Sequence, residues 1–145
     1  MDVVILLADS AQVDQSGKLH ALGIGWDQTT SPTAPAGLIV LVKVPWVQTN
    51  QRHHLAVQLL DADGRPVALS TPLGDQPVQL EADFEAGRPP GMTAGAEQMM
   101  KLALPLGPMP LAPGRYEWRA QIDGRGDPSW TAPFNVGSSA QLPPS

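Results

Sequence analysis

The residues best placed to do chemistry are aspartates at predicted turns. Asp61-Ala62-Asp63-Gly64 sets two carboxylates two residues apart before a glycine, as at the start of a calcium loop. Calcium takes about six to eight oxygen ligands, several of them carboxylates. A helix-loop-helix calcium site starting at Asp61 would need a bidentate glutamate at position 72, where Pro72 stands. A site assembled from several loops would have to add Asp123 and Asp127. Asp61, Asp63, Asp123 and Asp127 are therefore the candidate cation ligands. The competing reading is a tight turn, because Asp and Gly both tolerate left-handed backbone. No metal or cofactor is expected.

A second group lies in the first third of the chain. Asp9 ends an otherwise apolar run, His20 and Asp27 are nearby, and Trp26 follows Gly23-Ile24-Gly25. Asp9, His20, Trp26 and Asp27 are the candidate ligand contacts. Trp26 or Trp46 would serve as the aromatic platform of a sugar site, although core or rim packing is the simpler reading. The glycines lack the third member of a dinucleotide fingerprint, and no helix pattern follows them. A bulge or a close backbone approach accounts for them better. His53 and His54 are adjacent, so on a strand they point to opposite faces and do not grip one ion; surface or strand-end positions are expected.

Catalytic constellations are not evident. No serine lies in the nucleophile-elbow pattern. Asp83 and Glu85 fall on one alternating polar face, which reads as solvated surface and not as a glycosidase pair. With no cysteine in the chain, thiol catalysis, thiolate metal sites and disulfides are excluded. Arg125-Gly126-Asp127 spells an integrin-type tripeptide but is expected to be an ordinary exposed turn. The chain is read as not an enzyme.

Those residues must be positioned by strands. The 145 residues are about one domain's worth, 42% are hydrophobic, and only 16% are charged. Sixteen prolines and 14 glycines punctuate short apolar runs, which suits β-structure. Alternation with period two recurs throughout. Val78, Leu80, Ala82 and Phe84 oppose Gln79, Glu81, Asp83 and Glu85; Tyr116, Trp118, Ala120 and Ile122 oppose Arg115, Glu117, Arg119 and Gln121. Residues 3–8 and 38–44 are apolar on both faces and read as central or doubly covered strands. Pro45 should stand at a strand end or edge. About nine strands are predicted, near residues 3–9, 18–26, 37–46, 53–60, 66–69, 77–85, 97–105, 114–123 and 129–136. A hairpin is expected across residues 61–64, and a short helical turn near 94–99. The predicted fold is all-β, a single two-sheet β-sandwich domain over 1–137, with a disordered tail at 138–145.

Charge narrows the partners. The net charge is −5, and Arg52, Arg65, Arg88, Arg115, Arg119 and Arg125 are scattered, so no basic footprint for nucleic acid exists. No apolar run approaches the roughly 20 residues of a membrane span. The acidic opening and the short run at 3–8 do not match a signal peptide, whose apolar region takes roughly 7–15 residues. A soluble cytoplasmic protein is expected.

Three segments carry a resemblance: LLADSAQVDQSGKLHALGIGWDQ at 6–28, LLDADGRPV at 59–67 and LAPGRYEWRAQIDG at 111–124. In order and spacing they resemble a family of small bacterial proteins of unknown function. The resemblance implies a compact immunoglobulin-like or C2-like β-sandwich and no particular reaction. Tyr116, just after Pro113-Gly114-Arg115, is expected to bond its hydroxyl to nearby backbone, as in a tyrosine corner. The functional expectation is a non-catalytic binding or interaction module that takes a protein partner or a second copy of itself. A calcium- or carbohydrate-binding domain is the alternative, and an enzyme of unrecognised type the next.

Overall fold

In a computed structural model the chain is described over residues 1–138. The expected tail at 138–145 lies, Ser138 apart, outside the described residues. Twelve strands form: β1 (Asp2–Ala8), β2 (Ser10–Val13), β3 (Leu19–Leu22), β4 (Gln28–Thr30), β5 (Ala36–Val44), β6 (Arg52–Asp61), β7 (Ala68–Thr71), β8 (Gly74–Pro77), β9 (Gln79–Glu85), β10 (Gln98–Leu106), β11 (Gly114–Ile122) and β12 (Arg125–Gly137). A three-stranded sheet has the order β1-β5-β10, and a five-stranded sheet the order β4-β12-β11-β6-β9. Two separate hairpins, β2-β3 and β7-β8, complete the all-β architecture.

The alternating pattern drives this arrangement. Every second residue of a strand faces the same way, so one face of each sheet is apolar. Val3, Ile5 and Leu7 of β1, with Leu38, Val40, Val42 and Val44 of β5, share one core with Leu55, Val57 and Leu59 of β6. Trp118 and Phe134 are the largest fully or almost fully buried side chains of the five-stranded sheet. Tyr116 stacks on Phe134 with ring centroids 5.8 Å apart, and Trp26 meets the same ring edge-on at 73°. Burying a ring such as Phe134 contributes roughly 1.5–3 kcal/mol. Between sheets, buried Thr33 pairs with Met109, donating its N–H to the Met109 carbonyl and accepting the Met109 N–H on its hydroxyl at 2.8 Å.

The sequence reading needs correction in five places. There are twelve strands, not nine, because β2, β4 and β8 are too short and too polar to show a period. The strand expected over 18–26 stops at Leu22, since Gly23 and Gly25 take φ values of +64° and +92° and turn the chain away. β1 is an edge strand, with Val4 51% exposed. β5 is the doubly covered one: the β2-β3 hairpin packs across β5 and β10, and Ile39, facing opposite to Leu38 and Val40, is fully buried. The turn at 61–64 returns to β6 only through the Leu60–Pro66 bridge, and β7 then pairs with β8 instead. From Gln58 back to its start, that edge of β6 is taken by β9, so the returning chain is turned off it. Finally, residues 94–99 hold a turn at 94–95 and the start of β10; the helical turn is the 3₁₀ segment Trp46–Gln48, opened by Pro45 at the end of β5.

Candidate functional site

Two regions gather polar or exposed apolar groups. The first is at the start of β6. Alternation puts His53 on the inner face with Leu55, Val57 and Leu59, and its side chain is only 3% exposed. Beside it is the two-residue turn between β11 and β12, where Asp123 and Gly124 have φ of +53° and +79°. Two successive positive φ values make the tight hairpin turn that Asp-Gly favours. The turn swings the Asp123 carboxylate back over β6. Asp123 Oδ2 lies 2.7 Å from His53 Nδ1, and Oδ1 accepts the His54 N–H at 2.9 Å. On the other side, His53 Nε2 is 2.8 Å from the Gln48 carbonyl. Phe84 packs against the imidazole at 5.4 Å.

Electrostatics follow from these contacts. Burial pushes the His53 pKa down, but the bonds to Asp123 and to the Gln48 carbonyl outweigh it and carry it above the usual histidine value. His53, then the His54 amide, hold Asp123 below the usual carboxylate range. Outside, His54 Nδ1 meets Asp83 at 2.8 Å, and that bond raises its pKa. A cavity of about 370 Å³ opens here, walled by Gln48, Gln51, His53, Asp123, Arg125 and Trp130. A His–Asp pair is the orienting half of a nucleophilic triad, but in a triad the distal nitrogen faces the nucleophile. Here that nitrogen faces the Gln48 carbonyl at 2.8 Å and not a nucleophilic side chain.

The second region is the β2-β3 hairpin. Its turn is organised by Asp14, whose Oδ1 accepts from the Ser16 N–H, the Ser16 hydroxyl and the Lys18 N–H at 2.8, 2.7 and 3.0 Å. His20 Nε2 lies 2.7 Å from Asp14 Oδ2. These bonds, with Ser16 first, hold the Asp14 carboxyl far below its ordinary range. Leu22 is 71% exposed and Ile24 54%, at the rim of a shallow recess of about 660 Å³ bounded by Ser10, Gln12 and His20.

The predicted site residues are dispersed. Asp61 caps its own turn, accepting the Asp63 and Arg65 N–H groups at 2.9 and 3.0 Å. Asp127 accepts the N–H and hydroxyl of Ser129. On the β6-β11 ladder Asp61 pairs with Tyr116 and Leu55 with Ile122, so Asp61 and Asp63 stand about 20 Å or more from Asp123. They do not form one cation site, and no group of three or more metal-binding side chains occurs among the described residues. Asp9 packs on Gly23, His20 on Asp14, and Asp27 stands exposed where its carbonyl accepts the Asn135 N–H. These three do not converge. Trp26 is half-buried against Phe134, with its indole N–H enclosed, and so is no exposed platform. Trp46 lies beneath the Arg88 guanidinium at 3.8 Å. Arg125-Gly126-Asp127 begins β12 instead of forming a loop. His53, expected near the surface, is buried.

The sequence reading missed Asp14 and the His53–Asp123 contact. The Asp14-x-Ser16 spacing of a side-chain-capped turn was a local signal for the first. The second joins residues 70 apart, and no local pattern reports it.

The fold and these sites define an all-β domain whose polar groups mostly brace its own turns, with one hairpin carrying exposed apolar side chains. The chain belongs to the family of unknown function DUF6941, whose model matches residues 3–137. No curated protein matches it. Among the described residues no helix is long and apolar enough to cross a membrane.

Proposed function

We propose that this is a bacterial, cytoplasmic, non-catalytic interaction module, an immunoglobulin-like or C2-like β-sandwich that takes a protein partner or a second copy of itself. The observation that carries the reading is the β2-β3 hairpin. It sits outside both main sheets and, with the turn that follows it, shows Leu22 and Ile24, at 71% and 54% exposure, to solvent. Single exposed apolar residues are ordinary, but two large ones beside a recess suit an interface. The capped Asp14 turn holds the hairpin in shape, so binding would not have to order it. The occupied Nε2 of His53 supports the non-catalytic part.

The test is sedimentation of the wild type over a wide concentration range, with crosslinked capture from the host. Leu22→Asp with Ile24→Asp should abolish the self-association or the captured partner while leaving the melting curve nearly unchanged. A wild type that stays monomeric and captures nothing specific, or a double variant that retains the complex, refutes the reading.

A further inference from the structure

We propose that His53 is a proton-operated crosslink: as an imidazolium it ties the Trp46–Gln48 turn to the β11-β12 turn across the polar cavity, and loss of its proton frees the Gln48 carbonyl and loosens the cavity wall. The inference rests on a count of donors. Neutral imidazole has one N–H and one lone pair. His53 stands between two acceptors, Asp123 Oδ2 at 2.7 Å and the Gln48 carbonyl at 2.8 Å. A neutral ring would set its lone pair against an oxygen, whereas the doubly protonated ring satisfies both. The charge that faces the imidazolium is of opposite sign: Asp123 comes from the β11-β12 turn and Glu85 from β9. Arg52 and His54 flank His53 on β6, Arg125 shares the cavity with the Met1 end of the chain, and the Trp46–Gln48 turn brings no charge.

The two bonds are unequal in their support. Asp123 stays anchored by two backbone bonds to His54, one through its carboxylate and one through its own N–H, so a neutral ring keeps its N–H on Asp123. Gln48 is the partner released. The rest of its turn is held independently of pH near neutrality. Arg88 donates to the Thr49 hydroxyl at 2.6 Å and to the Trp46 carbonyl at 2.8 Å, and the Asn50 N–H bonds the Ala86 carbonyl. Loosening is therefore confined to residues 47–48 and to Gln51, which donates to the Val47 carbonyl. Gln48 and Gln51 both line the cavity, so the proton sets its shape.

The experiment is ring ¹⁵N spectroscopy and amide exchange across pH 5–9 on the full chain. At pH 6 both His53 nitrogens should carry protons, and the ring should titrate above the ordinary histidine value of about 6.5. Exchange of the Gln48 N–H, which bonds the Pro45 carbonyl at 2.9 Å, should accelerate severalfold through that same titration once corrected for hydroxide catalysis. A variant at the partner keeps the histidine and leaves its ring observable. Asp123→Asn should lower the His53 midpoint by about one unit or more, because the opposite charge is gone. A singly protonated His53 at pH 6, a midpoint unmoved in Asp123→Asn, or Gln48 exchange indifferent to the titration overturns the proposal.

Discussion

Gly23 lies against the side chain of Asp9 so closely that a Cβ at position 23 would overlap the carboxylate and reach 3.1 Å from the Asp9 Cβ. The two residues are also joined through the backbone, since the Asp9 N–H bonds the Leu22 carbonyl at 2.9 Å. Asp9, the one polar residue ending an apolar strand, thus marks the point where β1 hands over to the hairpin.

That contact gives the first prediction. Gly23→Ala should destabilise the fold by about 1–3 kcal/mol, from the positive φ and from overpacking. Adding Asp9→Ala should restore the overpacking part and not the backbone part. Urea denaturation of the two variants checks this; full recovery in the double variant would assign the whole cost to Asp9.

Gly37 joins the hairpin to the sheet beneath. Its backbone is unstrained, but a Cβ there would sit 3.1 Å from the Ala11 N and 3.2 Å from the Ala11 Cβ. Gly37→Val should lift β2 off β5, cost about 1–3 kcal/mol and expose Ile39. Hydrogen exchange should rise in 10–22 before it rises in β6 or β11. A uniform loss of protection would show that the hairpin is not separable.

Tyr116 donates its hydroxyl to the Ala112 carbonyl at 2.7 Å, as the tyrosine-corner expectation required. Tyr116→Phe keeps the stacking on Phe134 and removes only this bond. A loss of about 0.5–1.5 kcal/mol in thermal or urea unfolding is expected. An unchanged midpoint would mean that water replaces the partner without cost.

Two pH limbs follow from the shifted groups. Asp14 is depressed, so its contribution is complete above the ordinary carboxylate value and fades as pH falls through its lower folded value. His54 is raised, so its contribution is complete below the ordinary histidine value and fades as pH climbs through its higher folded value. Asp14→Ala should flatten the acid limb of the hairpin's exchange profile, while Asp14→Asn, which keeps an oxygen for Ser16 and Lys18, should leave the turn formed. His54→Gln should flatten part of the alkaline limb of global stability. An acid limb that survives Asp14→Ala would assign it to other carboxylates.

Much of the fold was legible because burial and alternation are local. Tyr116, Trp118, Ala120 and Ile122 face the core as their spacing requires, as do Val78, Leu80 and Phe84. Strands of three or four polar residues were not legible, since Gln28–Thr30 and Gly74–Pro77 contain no apolar face to count. β1 misled because its outward Val4 is apolar yet exposed, while β5 looked the same and owes its burial to a cover. The site was less legible. Asp61 and Asp63 read correctly as a turn, but the partner of Asp123 is set by the β6-β11 register, a long-range fact.

The order of strands also has a consequence in time. Neither pairing of the β1-β5-β10 sheet joins consecutive strands, whereas β2-β3, β7-β8 and β11-β12 are hairpins closed by their own turns. Local hairpins form within microseconds, and distant pairings must first meet the entropy of loop closure. Refolding should therefore begin with these hairpins and finish with the pairing of β4 and β12, whose partners Gln28 and Asn135 are the farthest apart along the chain. β5, the most apolar strand, pairs with β1 only after the loop from Ala8 to Gly37 has closed, and the β2-β3 hairpin, already formed within that loop, is on hand to shield one side of it.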